Sequence, residues 1–216
     1  MNSAPFSETT TPQQDPPPPG RLAVLEGLPG AGKTTIARSL EGAFPLIAEY
    51  TTPAGAPLAQ HAHPPVHDDG AHQDNWLTKT GAACRLLACS SLVVCDRDWL
   101  TPLGYAYSTG DAELLEYRCI WALHHLRQGT LRSADLCILL DIDPPTSLAR
   151  RAARLRPGHP WSTPAPLRRL ADFYREPARV LPDELAEHLP AFARIPAHRP
   201  SEYVLEDVTA LLEGLR

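Results

Sequence analysis

From Arg21 onward, short apolar runs alternate with stretches of helical periodicity. RLAVLE (21–26), PLIAE (45–49), SLVVCD (91–96), DLCILLDI (135–142) and AFARI (191–195) are too short for helices and read as buried strands. Between them, residues 111–128 place Leu115, Cys119, Ala122, Leu123 and Leu126 on one helical face, with Asp111 as its cap and Gly129 just past its end. A last stripe, Val204, Val208, Leu211, Leu212 and Leu215, follows Ser201, read as a cap. Strands alternating with helices predict a parallel sheet covered on both faces. No internal repeat interrupts this order.

Residues 1–20, with Pro16 to Pro19 in a row and Met1 and Phe6 as bulky apolar side chains, cannot bury enough surface to offset ordering. They are expected to be a disordered Pro-rich tail ahead of a single domain over 21–216. The 216 residues are 43% hydrophobic, enough for one full core. Charge is -5, from 20 Lys and Arg against 25 Asp and Glu, so the chain has no global basic footprint for nucleic acid. Five cysteines without CxxC spacing suggest neither a disulfide framework nor a zinc ribbon. No run reaches the roughly 18 apolar residues of a membrane span, and the N-terminus lacks the order of a signal peptide. A cytoplasmic protein without membrane or nucleic-acid partners is expected.

The decisive segment is Gly27-Leu28-Pro29-Gly30-Ala31-Gly32-Lys33-Thr34, which fits GxxxxGK[ST] between an apolar strand and a helical run. By chance such a match arises in roughly one chain in a hundred of this length. Glycines let the backbone wrap phosphate, while successive N–H groups and the helix N-terminus supply a positive field. Gly27, Gly30, Ala31, Gly32, Lys33, Thr34 and Thr35 are thus the nucleotide-binding candidates. Lys33 is expected on the β- and γ-phosphates of ATP and the Thr34 hydroxyl on Mg²⁺. No NKxD or LSGGQ element is present, which weakens a GTPase or ABC-type reading.

Asp96 and Arg97 stand at the carboxyl end of a buried strand, where ligands bind in open parallel sheets. Asp96 is placed to hold Mg²⁺ or take a proton, and Arg97 to neutralise a phosphoryl group or orient an acceptor. Glu49, at another strand end, is a candidate base for an acceptor hydroxyl. Arg150, Arg151, Arg154 and Arg156 put four cations in seven residues before a Pro-Gly break, as a closing lid over about 150–163 would need.

Taken together, Glu26-Gly27, Gly30, Gly32-Lys33-Thr34-Thr35, Asp96-Arg97 and the run from Thr101 through Tyr105 to Tyr107 resemble the thymidylate kinase and deoxynucleoside kinase branch of the P-loop kinases. Leu139 to Pro144, followed by Arg150, Arg151 and Arg154, resembles the strand and arginine-bearing lid of that family. The resemblance implies a three-layer α/β P-loop NTPase fold with a five-stranded parallel sheet. It further implies an acceptor pocket bordered by a helix carrying Asn75, Trp76, Lys79 and Arg85, with Tyr105 as a further acceptor-binding candidate. Two departures stand out. Leu28-Pro29 replace the acidic loop residue usual in thymidylate kinases, and Ala48 precedes Glu49-Tyr50 where those enzymes carry an arginine.

The sequence reading is an ATP- and Mg²⁺-dependent small-molecule kinase with Lys33, Glu49, Asp96, Arg97, Arg150 and Arg154 as catalytic candidates. Without the arginine at position 48, the expected acceptor is a hydroxyl on a nucleoside-like or specialised small molecule. A nucleoside monophosphate is the alternative, and a regulatory NTPase the second alternative. A homodimer stays open. His61, His63, His67 and His72 crowd a Pro-rich segment whose spacing matches no standard zinc site, so an acceptor-side loop is expected there.

Overall fold

A computed structural model describes residues 20–65, 68–154 and 159–216, with the side chains of Gln60 and Arg154 outside the description. The Pro-rich tail therefore lies outside the described residues, as do His67 and Arg156.

Five parallel strands form one sheet in the order β2-β3-β1-β4-β5: β1 Arg21–Glu26, β2 Leu46–Ile47, β3 Leu92–Asp96, β4 Leu136–Asp141 and β5 Ala191–Pro196. Strand β1 is central, with Val24 beside Cys95 of β3 and Cys137 of β4. Side chains alternate across the sheet. Leu22, Val24, Val93 and Cys95 pack with Ala82 and Ala83 of α2 (Asp69–Leu87). Ala23, Leu25, Leu92 and Val94 join the larger core, which includes Ile36 of α1 (Lys33–Ser39), Leu103 of α3 (Leu100–Thr109) and Cys119 of α4 (Ala112–Arg127). That core is completed by Phe173 of α6 (Pro164–Arg175), Leu185 of α7 (Asp183–Ala186) and Val208 of α8 (Ser201–Leu215). Helix α5 (Pro144–Arg151) runs into a 3-10 turn at Ala152–Arg154, and a second short turn, Pro160–Ser162, precedes α6. The three-layer fold with a five-stranded parallel sheet is the one the sequence pattern predicts.

The differences are local. The second strand, expected over 45–49, narrows to two residues because its end diverges from β3. Asp111 caps α4 by accepting from the Leu114 N–H. Ser201 caps nothing, since it is already the first residue of α8 and Pro200 precedes it. Gly104 permits a close crossing of α3 and α6, because a Cβ there would lie 2.9 Å from Leu170 Cδ1 and 3.0 Å from Phe173 Cδ1. That crossing carries Tyr174 over the end of β1. No described helix is long and apolar enough to cross a membrane.

Candidate active site

Strand β1 ends in Glu26, and the chain turns at Gly27 with φ +139°. A Cβ at Gly27 would sit 2.5 Å from the Leu140 carbonyl oxygen, so only glycine lets the loop pass β4. Gly32, at φ +100°, is the N-cap of α1 and offers no side-chain acceptor, leaving the first helical N–H groups available to an anion. The loop is braced from α5: Ser147 Oγ donates to Pro29 O at 2.5 Å and Arg150 Nη1 to Gly30 O at 3.3 Å. Ala31 is buried in the core, and Thr34 and Thr35 are exposed at the start of α1.

Lys33 is buried, and its ammonium donates to Gly27 O at 2.7 Å and Leu28 O at 3.0 Å. Burial, followed by repulsion from Arg97, pulls its pKa down from 10.5 to about 7. Beside it, Thr34 Oγ1 donates to Asp96 Oδ2 at 3.1 Å. Asp96 Oδ1 is buried and has no hydrogen-bond partner among the described residues. A hydroxyl and a carboxylate with a spare oxygen form a hard donor set that fits Mg²⁺.

Arg97 has φ +67°, the sole positive φ at a non-glycine among the described residues. Its N–H donates to Leu25 O at 3.1 Å, and the left-handed backbone turns the side chain back across the strand ends. There Arg97 Nε lies 2.9 Å from Glu49 Oε1 and Nη1 lies 3.8 Å from Glu26 Oε2. Burial alone would make the guanidinium easier to deprotonate, but Glu49 and Glu26 outweigh it and bind the proton more tightly. Burial would likewise raise the Glu49 pKa. Arg97, then Lys33 and Lys79, reverse that and hold the carboxyl below its ordinary value.

Glu26 is fully buried. It accepts from Thr101 Oγ1 at 2.5 Å, from the Asp98 N–H at 3.3 Å and from Tyr174 OH at 2.7 Å. It therefore ties α3 and α6 to the β1–β3 junction.

A pocket of about 310 Å³ opens beside this cluster. Pro29 of the phosphate-binding loop lines it together with Glu49 and Arg97, so the loop and the pocket share a wall. Trp76 and Tyr105 line it as well, and Trp161 meets Tyr105 edge-on at a centroid distance of 5.5 Å. Arg118 borders the far side, pairing through Nε with Asp69 Oδ2 at 3.0 Å and lying over the Tyr105 ring at 5.5 Å.

His72 also lines the pocket. Its Nε2 is 3.1 Å from Pro65 O, a pure acceptor, so Nε2 carries the proton and Nδ1 accepts from Tyr50 OH at 3.3 Å. His72, from the first turn of α2, thus borders the pocket, and the His63 ring lies 4.4 Å from that of Tyr50, which also lines it. Among the described residues no cluster of three His, Cys, Asp or Glu could hold a metal.

Two expected acceptor contacts are not met. Lys79 Nζ is consumed by the backbone carbonyls of Ala48, Glu49 and Asp96, so its charge points under the strand ends and not into the pocket. Arg85 lies farther along α2, away from the pocket, and donates to Pro53 O. Both follow from helix pitch, since α2 rises about 1.5 Å per residue and leaves the pocket after Trp76. Arg118, Trp161 and Tyr174 line or brace the site without having been named from the sequence, while Glu26 and Tyr50 were named without a role and His72 only as part of an acceptor-side loop. Glu26 carried a signal, a carboxylate ending an apolar strand directly before the loop. Arg118 carried none, being one cation on an amphipathic helix.

A glycine-turned phosphate cradle on a central parallel strand, with an arginine and carboxylates at the neighbouring strand ends, defines a P-loop kinase site. A thymidylate kinase of Synechococcus sp. (strain WH7803) is 31% identical over 219 residues, covering 90% of this chain and 96% of that relative. The chain belongs to the thymidylate kinase family. A thymidylate kinase of Xanthomonas euvesicatoria pv. vesicatoria (strain 85-10) is 31% identical over 158 residues, and this chain spans 63% of its length. No protein-family model matches the chain. Deoxyadenosine kinase from M. mycoides with bound dATP shares the fold at a TM-score of 0.56 and 16% identity, covering 89% of this chain and 99% of the other.

Proposed function

We propose that the chain transfers the γ-phosphoryl group of ATP to a nucleoside monophosphate held in the 310 Å³ pocket. The observation that carries this reading is Arg97, held between the phosphate-binding loop strand and a pocket that Pro29 also lines. Family membership supports the monophosphate as acceptor, ahead of the hydroxyl acceptor expected from Ala48. Gly27 through Thr35 would hold the triphosphate. Thr34 and Asp96 would hold Mg²⁺, which supplies neutralisation of phosphate charge when bound. Arg97 would orient the acceptor, in competition with Glu49 for the same guanidinium. Trp76 and Tyr105 would pack on its ring. Arg150, already at the loop, and Arg154 would close over the transferring group as a lid spanning about 150–163. One catalytic domain over 21–216, in the cytoplasm, completes the reading.

A second reading, transfer to a nucleoside hydroxyl, is favoured by one feature. Glu49 is kept ionised at the pocket wall, as a general base for an alcohol must be. Incubation with MgATP and, separately, thymidine monophosphate, other nucleoside monophosphates, nucleosides and simple sugars, followed by ³¹P NMR, tests both. A diphosphate of the acceptor nucleoside, distinct from the ADP that every transfer from ATP leaves, supports the first reading, and a new phosphomonoester the second. ATP hydrolysis unaffected by every acceptor would overturn both in favour of a regulatory NTPase.

A further inference from the structure

The ladder between β2 and β3 ends at the rung Ile47–Cys95. The next positions on the two strands are 48 and 96, where the crevice opens. The residues after those, Glu49 and Arg97, form the 2.9 Å ion pair. Lys79 lies across the opening: Nζ donates to Ala48 O at 2.6 Å, to Asp96 O at 2.8 Å and to Glu49 O at 3.4 Å. One helical turn earlier, Asn75 Nδ2 donates to Glu49 O at 2.9 Å and Oδ1 accepts from the Thr51 N–H at 3.2 Å. Both side chains are buried.

An ammonium has three N–H donors, and all three are spent here on backbone carbonyls. Burial works against this charge and pulls the Lys79 pKa down, and the nearby Asp96, Glu49 and Asp98 offset only part of that. Among the described residues no carboxylate touches it, so an apolar side chain of similar volume would fill the space more cheaply. The charge therefore does something that packing does not. It bridges two strand ends at the first register position where they no longer pair with each other. Neither Lys79 nor Asn75 donates to the phosphate-binding loop, whose own lysine is Lys33.

We propose that Lys79 and Asn75 are positioning residues, a clamp from one face of α2 that holds the diverging ends of β2 and β3 and so sets the separation of Glu49 and Arg97. This rests on the reading that Glu49 and Arg97 serve the acceptor. The clamp itself is a property of the free protein and is tested there.

Lys79 also acts on Glu49 through its charge, after Arg97 and Lys33, so the test must separate charge from geometry. The variants are Asn75→Ala, which removes a tie without changing charge, Lys79→Met, which removes both, and Lys79→Arg, which keeps charge and donors. The Glu49 carboxyl is titrated by ¹³C NMR in the free protein, its signal assigned by loss in Glu49→Gln, and ATP affinity is measured on the same samples. Loosening the pair should raise the Glu49 titration point by about half a unit or more in Asn75→Ala and about one unit or more in Lys79→Met. Lys79→Arg should recover at least half of the Met shift. ATP affinity should stay within about twofold, while turnover with whichever acceptor is used should fall about 10- to 100-fold in Lys79→Met, as for a misplaced catalytic pair.

An unshifted Glu49 in folded Asn75→Ala, with a shift in Lys79→Met that Arg fully restores, would reduce Lys79 to a distant charge and overturn the clamp. If Lys79→Met does not fold, Asn75→Ala decides: a raised Glu49 titration point supports the clamp and an unshifted one overturns it. Failure to find any acceptor would remove the functional reading, yet the Glu49 titration would still decide whether the clamp exists.

Discussion

Arg97 and Glu49 meet at 2.9 Å across two strand ends that are no longer hydrogen-bonded to each other. The contact is made from a backbone that L-residues rarely adopt, φ +67° at Arg97, a conformation that costs about 1–3 kcal/mol. The same guanidinium also faces the fully buried Glu26. A cation shared between two carboxylates, set between the phosphate-binding loop strand and the pocket, is the feature on which the site turns.

Removing that cation should therefore damage more than chemistry. Arg97→Ala takes from Glu26 and Glu49 their nearest cation, and loss of one partner of a buried pair costs about 3–5 kcal/mol, an upper range here because Glu49 is partly exposed and Glu26 keeps its hydrogen bonds. A melting temperature lower by several degrees is expected. Acceptor use should be lost while nucleotide affinity falls less, since the phosphate-binding loop is on another strand end. Thermal melts and nucleotide titrations on one preparation check this. A larger loss of nucleotide affinity than of acceptor use would move Arg97 to the donor side.

Nucleotide binding should take up a proton. Lys33 titrates near 7 in the free protein, whereas an ammonium set against phosphates would remain charged well above that. Below pH 7 the lysine is already protonated and affinity is on its plateau. As pH rises above 7 the free lysine becomes neutral, and binding must recharge it. Affinity should then fall with pH. Calorimetry at pH 8 in buffers of different ionisation enthalpy should show uptake approaching one proton, absent in Lys33→Met.

Asp98 offers a stability test. Burial, and then repulsion from Glu26, raise its pKa from 3.8 to about 7, and Oδ2 is buried with no partner among the described residues. The folded state binds this proton more tightly than the unfolded chain. The group's favourable contribution is thus complete below about pH 4 and is lost as pH rises through 7. Asp98→Asn keeps an acceptor for the Leu100 N–H, now at 2.9 Å from Oδ1, and abolishes that loss. The variant should gain in melting temperature relative to the natural chain at pH 8 and show little gain at pH 4. Equal gains at both values would refute the assignment.

Gly27→Ala should fail structurally. Its Cβ would fall 2.5 Å from the Leu140 carbonyl at φ +139°, so β4 or the loop must move, costing at least about 1–3 kcal/mol. Gly32→Ala, with no atom within 4 Å of the added Cβ, isolates the backbone strain from the clash and should cost less. Denaturant midpoints of the two variants rank the effects.

The strands and most helices are legible in the chain because each is encoded locally. Period-2 and short apolar runs mark the sheet, and Asp111 caps α4 where the pattern places it. The loop is legible because Gly27, Gly30 and Gly32, all at positive φ, answer to local backbone demands, and Lys33 and Thr34 follow them directly in sequence. Lys79 and Arg85 depart from expectation for the opposite reason. A residue type on the correct helix says nothing about where the side chain's donors end, and those of Lys79 end on carbonyls 17 to 31 positions away in sequence.

Local sequence suffices for a parallel α/β fold, the phosphate-binding loop and the three strand-end charges Glu49, Asp96 and Arg97, since these follow from periodicity and from motifs contiguous in the chain. It took the folded chain to establish that Arg97 pairs with Glu49 and Glu26, that Tyr174, 148 positions from Glu26, donates to it, and that Lys79 holds two strand ends together. Those relations depend on strand order, on where a two-residue strand diverges from its neighbour, and on a glycine at the crossing of α3 and α6. None of these is a property of any short stretch of chain, because each is settled only when distant segments compete for the same buried space and the same few hydrogen-bond partners.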